Sequence, residues 1–221
     1  MTQIHAQPIV RKTRWIVNPG FGYLRSSLLA LGMLSVLLTI PDICVSEDAS
    51  LTGQLLVAHE RMQDPRFMHS VLLVVKHGPG GAQALMINHP TGVSLSKVFP
   101  GVPELKMADN TLFVGGPVND GRIMLLIDKP ADLELEGARK VVDTIYFGIN
   151  RRLMSYVLNN PPARFNAYSG YAGWAPGQLE GELKRGNWLL VDADATIVFD
   201  RPAGHIWREI YQGKRYQQWV M

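Results

Sequence analysis

Two aspartates follow an apolar run in Val191-Asp-Ala-Asp-Ala-Thr196. A carboxylate pair at that spacing suits aspartyl-phosphate chemistry, in which the first acid attacks phosphorus and the second moves the proton. Only 25 residues follow Thr196, too few for the lysine and metal-binding carboxylates of a phosphatase, so Asp192 and Asp194 are read as turn residues. The stretch also lacks the glycine and distal glutamate of a calcium loop. Ser169 precedes Gly170 as a nucleophile would, but Ala167 stands where a nucleophile elbow needs glycine. His59, His69, His77 and His89 fall near strand ends without any zinc-ligand spacing, and His59-Glu60 lacks a second histidine four residues on. Gly78-Pro-Gly-Gly and Gly115-Gly-Pro have the composition of turns, and neither is followed by the Lys-Ser/Thr of a phosphate cradle. No catalytic residue, metal site or cofactor is expected on these grounds.

The elements that would position such residues are read from hydrophobic pattern. Gln54 to Ala58 reads as a first strand. Ser70 to Lys76 and Ala82 to Asn88 are apolar runs joined by a glycine turn, which predicts a hairpin buried on both faces at the centre of a sheet. Leu95, Val98 and Phe99 suggest a short helix. Thr111 to Val114, Arg122 to Ile127, Ile145 to Ile149, Trp188 to Val191 and Ile197 to Phe199 are further strands, and Asp132 to Gly137 is a solvated loop. A helix capped by Asn150 and stopped by Asn160 and Pro161 carries Leu153, Met154, Val157 and Leu158 on one side. Asn166 to Trp188 reads as the end of a strand that starts at Arg164, then a tight turn at Gly170 and Gly173, then a helix opened by Pro176 and closed by Gly186. Ser169, Tyr171 and Trp174 would line a cleft there or, as the preferred reading, plug the core. A last helix repeats Ile206, Trp207, Ile210 and Tyr211 before Gly213.

Charge narrows the classes of function. The 221-residue chain carries a formal +3, but residues 1–46 hold Arg11, Lys12, Arg14 and Arg25 against Asp42. Without them the 22 basic and 19 acidic residues become 18 of each. A neutral body argues against nucleic acid, which wants a basic face. Leu28 to Ile40 is an uncharged apolar run between basic residues and Pro41-Asp42, the layout of a secretory signal; an uncleaved anchor over residues 26–41 and an internal start are the alternatives. Cys44 is the single cysteine, and Ile43 before it is too bulky for a lipoprotein site. With the leader removed, disulfides and thiolate chemistry are excluded.

Five segments also carry a resemblance: Gly53-Gln-Leu-Leu-Val-Ala58, Met62-Gln-Asp-Pro-Arg-Phe-Met-His-Ser-Val71, Gly81-Ala-Gln-Ala-Leu-Met-Ile-Asn-His-Pro90, Val114-Gly-Gly-Pro-Val118 and Gly170-Tyr-Ala-Gly-Trp-Ala-Pro-Gly-Gln-Leu-Glu180. Together, over about Leu51 to Tyr211, they look like the YqgE/AlgH family. That resemblance implies an α/β fold of the α+β type, a single compact domain with a bent mixed β-sheet flanked by short helices, here over residues 51–213 with a leader before it and a tail over 214–221. It implies no reaction; the family carries a label of transcriptional regulation without agreed catalytic residues. His89 stands where the family has arginine, and the family is cytoplasmic, whereas the leader here points to an exported or membrane-anchored protein with a cytoplasmic place as the alternative. Asn88, Gly116 and Ser169, placed at turns within or beside these motifs, are the residues to seek at a shared binding cleft. The expected function is a non-catalytic binding or regulatory domain acting on a protein or small-molecule partner. A transcription-associated regulator and a hydrolase using Ser169 or Asp192 and Asp194 are the alternatives.

Overall fold

The strands alternate between apolar environments rather than between core and water, and that explains why their sequences read as unbroken apolar runs. In the computed structural model, which describes residues 50–102, 111–129, 135–149, 151–160 and 164–220, β1 (Gln54–Ala58) sends Leu55 and Val57 to one side and Leu56 and Ala58 to the other. β2 (Val71–Gly78) and β3 (Gly81–Met86) do the same and pair as the predicted antiparallel hairpin. The leader at residues 1–46 with Cys44, the capping Asn150, and Asp132 of the solvated loop lie outside the described residues. Among the described residues no helix is long and apolar enough to cross a membrane.

Further along come β4 (Pro90–Ser94), α1 (Leu95–Val98), β5 (Thr111–Val114), β6 (Val118–Asp128), β7 (Arg139–Val142), β8 (Ile145–Gly148) and α2 (Arg151–Asn159). The chain closes with β9 (Arg164–Trp174), α3 (Gln178–Lys184), β10 (Trp188–Asp192), a π-helical turn at Thr196–Asp200, and α4 (Ala203–Val220). The ten-stranded mixed sheet runs β10-β1-β2-β3-β9-β6-β8-β7, with β5 parallel to β9 and carrying β4 at its side. It curls into a half-barrel. The β7 end comes back toward β1 and β2: an Arg139 Nη2 donates to the Val75 carbonyl at 2.8 Å, and Gly53 lies against Val142.

Inside the curl sit Leu55, Leu73, Leu85, Met124, Phe147 and Tyr168, with Ile197, Val198, Ile206 and Tyr211 from the last segment packed on them. Outside, α3 and the 59–69 loop cover Leu56, Met86 and Trp174, and α1 and α2 cover Leu125, Ile127 and Phe165. Leu153, Val157 and Leu158 of α2 are buried, and burial of such side chains stabilises by roughly 2 kcal/mol each.

Three expectations are corrected. The tight turn after Tyr168 does not form, because β9 continues through Gly170 and Gly173 to Trp174. Tyr168 and Tyr171, three residues apart, both meet the interior cluster, which an unbroken two-residue period forbids; the change of face falls at Gly170, at φ +75°, where the β6–β9 register also shifts. Pro176 lies in the turn before α3 rather than at its first position, and Gly177 at φ +75° precedes the helix. Ile197 to Phe199 is not a strand. The Asp194 Oδ1 accepts the Ile197 N–H at 2.8 Å and starts a helical turn that drives Ile197 and Val198 inward.

Candidate functional site

Asn88 is committed at both ends of its amide: Oδ1 accepts the Val71 N–H and Nδ2 donates to the His69 carbonyl, each at 2.9 Å. It ties the start of β2 to the end of β3, beside His69 with its φ of +57°. Gly116 and Ser169 meet at a crossing of backbones. The Gly115 N–H donates to the Ser169 carbonyl at 2.8 Å, and a Cβ added at Gly116 would lie 2.1 Å from the Tyr171 carbonyl carbon. Asn88 is one step removed, through the Val114 N–H that donates to the His89 carbonyl. Ser169 itself pairs with Val114 of β5 and Ile123 of β6, inside the sheet rather than on a strand-to-helix elbow.

The histidines divide between the two ends of the hairpin. His59, His69 and His89 gather where β1 and β3 end and β2 begins. His69 packs 4.2 Å from the Trp207 ring, His59 meets Tyr211 edge-on at 5.7 Å, and His89 Nε2 hydrogen-bonds Ser70 Oγ at 2.9 Å. Burial lowers the His89 pKa below its ordinary value. His77 sits at the opposite end, where its Nδ1 accepts the Leu51 N–H and Nε2 lies 2.7 Å from Glu180 Oε1. Glu180 is held below the usual carboxylate range, first by its own backbone N–H and then by His77. Among the described residues no three metal-ligating side chains come together. Asp192 accepts from Gln54 Nε2 at 2.9 Å, and Asp194 starts the π-helical turn, so both acids serve local structure.

A different set of side chains forms an open groove on the surface. β9 ends at Trp174, β10 begins at Trp188, and α3 between them presents Glu182 to both indoles. Glu182 Oε2 accepts Trp174 Nε1 at 3.0 Å and Trp188 Nε1 at 2.8 Å, while Oε1 accepts Gln178 Nε2 at 3.2 Å. Phe67, on the loop after β1, stacks on Trp174 at 6.5 Å and meets Trp188 edge-on at 5.6 Å. The same loop is stiffened by Arg66, which grips Asp64 through Nε and Nη2, at 3.0 and 2.6 Å, and holds the Asp64 carboxyl below its ordinary pKa. Between loop and helix lies a groove of about 640 Å³ lined by Arg61, Gln63, Phe67, Glu182, Arg185 and Trp188 among others. That volume lies within the range of small-molecule sites.

Sequence reasoning passed over this groove. Its one signal was the pattern of a tryptophan ending a strand, a glutamate inside the next helix and a tryptophan opening the next strand, which converges two indoles on one carboxylate.

A family model described as AlgH-like matches residues 55–218. A UPF0301 protein of Methylococcus capsulatus is 34% identical over 165 residues, 73% of this chain and 90% of that protein. A UPF0301 protein of Vibrio cholerae is 31% identical over 172 residues, 74% of this chain and 91% of its own. The solution structure of the AlgH protein from Pseudomonas aeruginosa is similar with a TM-score of 0.58 and 28% identity over 71% of this chain and 85% of that one. A crystal structure of a Corynebacterium diphtheriae protein, at 20% identity and a TM-score of 0.60 over 72% of this chain and 84% of that one, shares the fold.

Proposed function

The chain belongs to the AlgH-like family, and from that premise we propose that it works as a non-catalytic binding domain whose ligand or partner enters the groove between the 59–69 loop and α3. The observation that carries this reading is the engagement of Glu182. Its carboxylate receives two indole N–H groups and an amide, so the acid in the groove is a fixed part of the wall rather than a group free to move a proton. The acids and amides that suggested chemistry in the sequence are likewise used in structure, Asp192 and Asp194 by Gln54 and Ile197, Asn88 by Val71 and His69. A neutral body supports a partner other than nucleic acid.

Chemical-shift mapping of the full chain against small fragments of mixed charge tests the reading. Perturbation of the Trp188 and Trp174 indole N–H signals is the expected result; shifts confined to other surfaces would sink it. Turnover of ester or phosphoester substrates that disappears in Ser169→Ala or Asp192→Asn would restore the hydrolase.

The basic and apolar pattern of residues 11–41 supports a place at the membrane or in an exported compartment. Intact mass and N-terminal sequencing of protein from a fractionated host check it. A mature start near Glu47 is expected, and a full-length chain in the cytosolic fraction would end this part of the proposal.

A further inference from the structure

Donors and acceptors are unevenly spent along the groove. The carboxylates are satisfied: Asp64 by the fork of Arg66, and Glu182 by Trp174, Trp188 and Gln178. Four other side chains that bear donors are not. Arg61, Gln63, Arg185 and Asn187 line the same groove, and among the described residues none of the four makes a side-chain hydrogen bond or ion pair. Two guanidinium groups and two amides thus line one open volume without a protein partner, while the Asp64 charge is matched by Arg66 and the Glu182 oxygens are occupied by neutral N–H donors.

A site with surplus donors selects a ligand that brings oxygens, and guanidinium groups do so with geometric preference for carboxylate and phosphate. Phe67 and the mostly buried Met62, on the same loop, give the apolar part of a ligand somewhere to lie. On the reading that the groove is the binding site, the geometry points to a small molecule bearing an oxyanion, carboxylate or phosphate, held by Arg61 and Arg185 with Gln63 and Asn187 beside them. Cationic and neutral molecules of the same size are disfavoured, because neither brings the negative charge that pairs with a guanidinium group.

The test uses the full chain and four probes that share a ring: phenyl phosphate, benzoate, benzyl alcohol and benzylamine. Titration is followed at the Trp188 indole N–H and the arginine side-chain signals, and repeated for an Arg61→Gln/Arg185→Gln double variant and an Arg61→Lys/Arg185→Lys variant. Phenyl phosphate or benzoate is expected to bind in the groove, to weaken as salt rises, and to lose roughly tenfold or more in affinity in the glutamine variant, with partial recovery in the lysine variant. Phosphate binding with no benzoate binding would name the oxyanion as phosphate, and the reverse as carboxylate. Binding of benzyl alcohol or benzylamine as tight as the anions, or anion binding unchanged in the glutamine variant, overturns the inference and leaves the groove standing as a site. If no probe of any charge moves the groove signals, the groove reading falls with it. All four arginine substitutions are at exposed positions, so the melting temperature should not change and serves as the folding control.

Discussion

Tyr168 is wholly buried inside the curl, tilted against Phe113 at 5.5 Å, and its hydroxyl has no hydrogen-bond partner among the described residues. Burial raises the phenol pKa against the opposing effect of the nearby Asn166 side chain, and a hydroxyl short of full hydrogen-bond geometry costs stability that the ring's packing offsets. Tyr168→Phe keeps the ring and removes the orphan, so its urea midpoint is expected to rise, by the equivalent of about 1 kcal/mol. A fall of similar size would mean that the hydroxyl holds an internal water. His89 gives the second prediction at this scale. Its pKa is lowered in the folded state by burial, so between the ordinary value of 6.5 and the folded value the unfolded chain binds more protons. Stability is therefore full above about pH 6.5 and declines as pH falls through the window just below it. Urea titrations from pH 7.5 to 5 should show that decline in the wild type and a smaller one in His89→Gln.

Among elements, α3 is held to the sheet by the carboxylate that both tryptophans share. Glu182→Ala leaves two largely buried indole N–H groups unanswered and is expected to cost about 2 kcal/mol, with Glu182→Gln losing less because one oxygen remains. Where β5 leads into β6 over β9, the backbones touch: a Cβ on Gly115 would lie 2.1 Å from the Gly170 carbonyl oxygen, whereas one on Gly80 meets nothing within 4 Å. Gly115→Ala should therefore lose several kcal/mol or fail to fold, and Gly80→Ala should melt within a degree or two of the wild type; equal melting of the two would refute the close crossing. The same elements explain what could be read in advance. β1, β2, β3 and α2 announce themselves because each buries a continuous apolar run or stripe, and β5, β10, α1 and α4 because their apolar residues, though less buried, stand out from the polar segments around them. β4 and β7 do not. Pro90-Thr-Gly-Val-Ser94 and Arg139-Lys-Val-Val142 are mostly exposed edge strands whose polar residues match loop composition. Gly170 reads as a chain reversal although it only kinks a strand, and Thr196-Ile-Val-Phe199 reads as β until the Asp194 side chain is seen to start a helical turn. The groove escaped because Arg61 and Phe67 are more than 100 residues from Arg185 and Trp188, and no local pattern marks a meeting of that length.

At the scale of the whole molecule, the sheet is a half-barrel without pairing between its end strands, and few contacts join its β7 end to β2. The Arg139 hydrogen bond to Val75 is one of them. Arg139→Met should speed amide exchange in β7 and β8 while leaving the β2–β3 hairpin as slow as before; uniform acceleration would mean that the curl opens only by global unfolding. β9 is the other feature with molecular reach, since it pairs with β3, β5 and β6, all of which precede it, just as β10 pairs with β1. A ribosome making this chain therefore releases β1 and β3 with one partner each, β10 and β9, still unsynthesised. Until Trp174 has emerged, β3, β5 and β6 lack the strand they all pair with. A stalled product ending before Arg164 would leave β3, β5 and β6 without their shared partner, an aggregation-prone fragment rather than a smaller working domain.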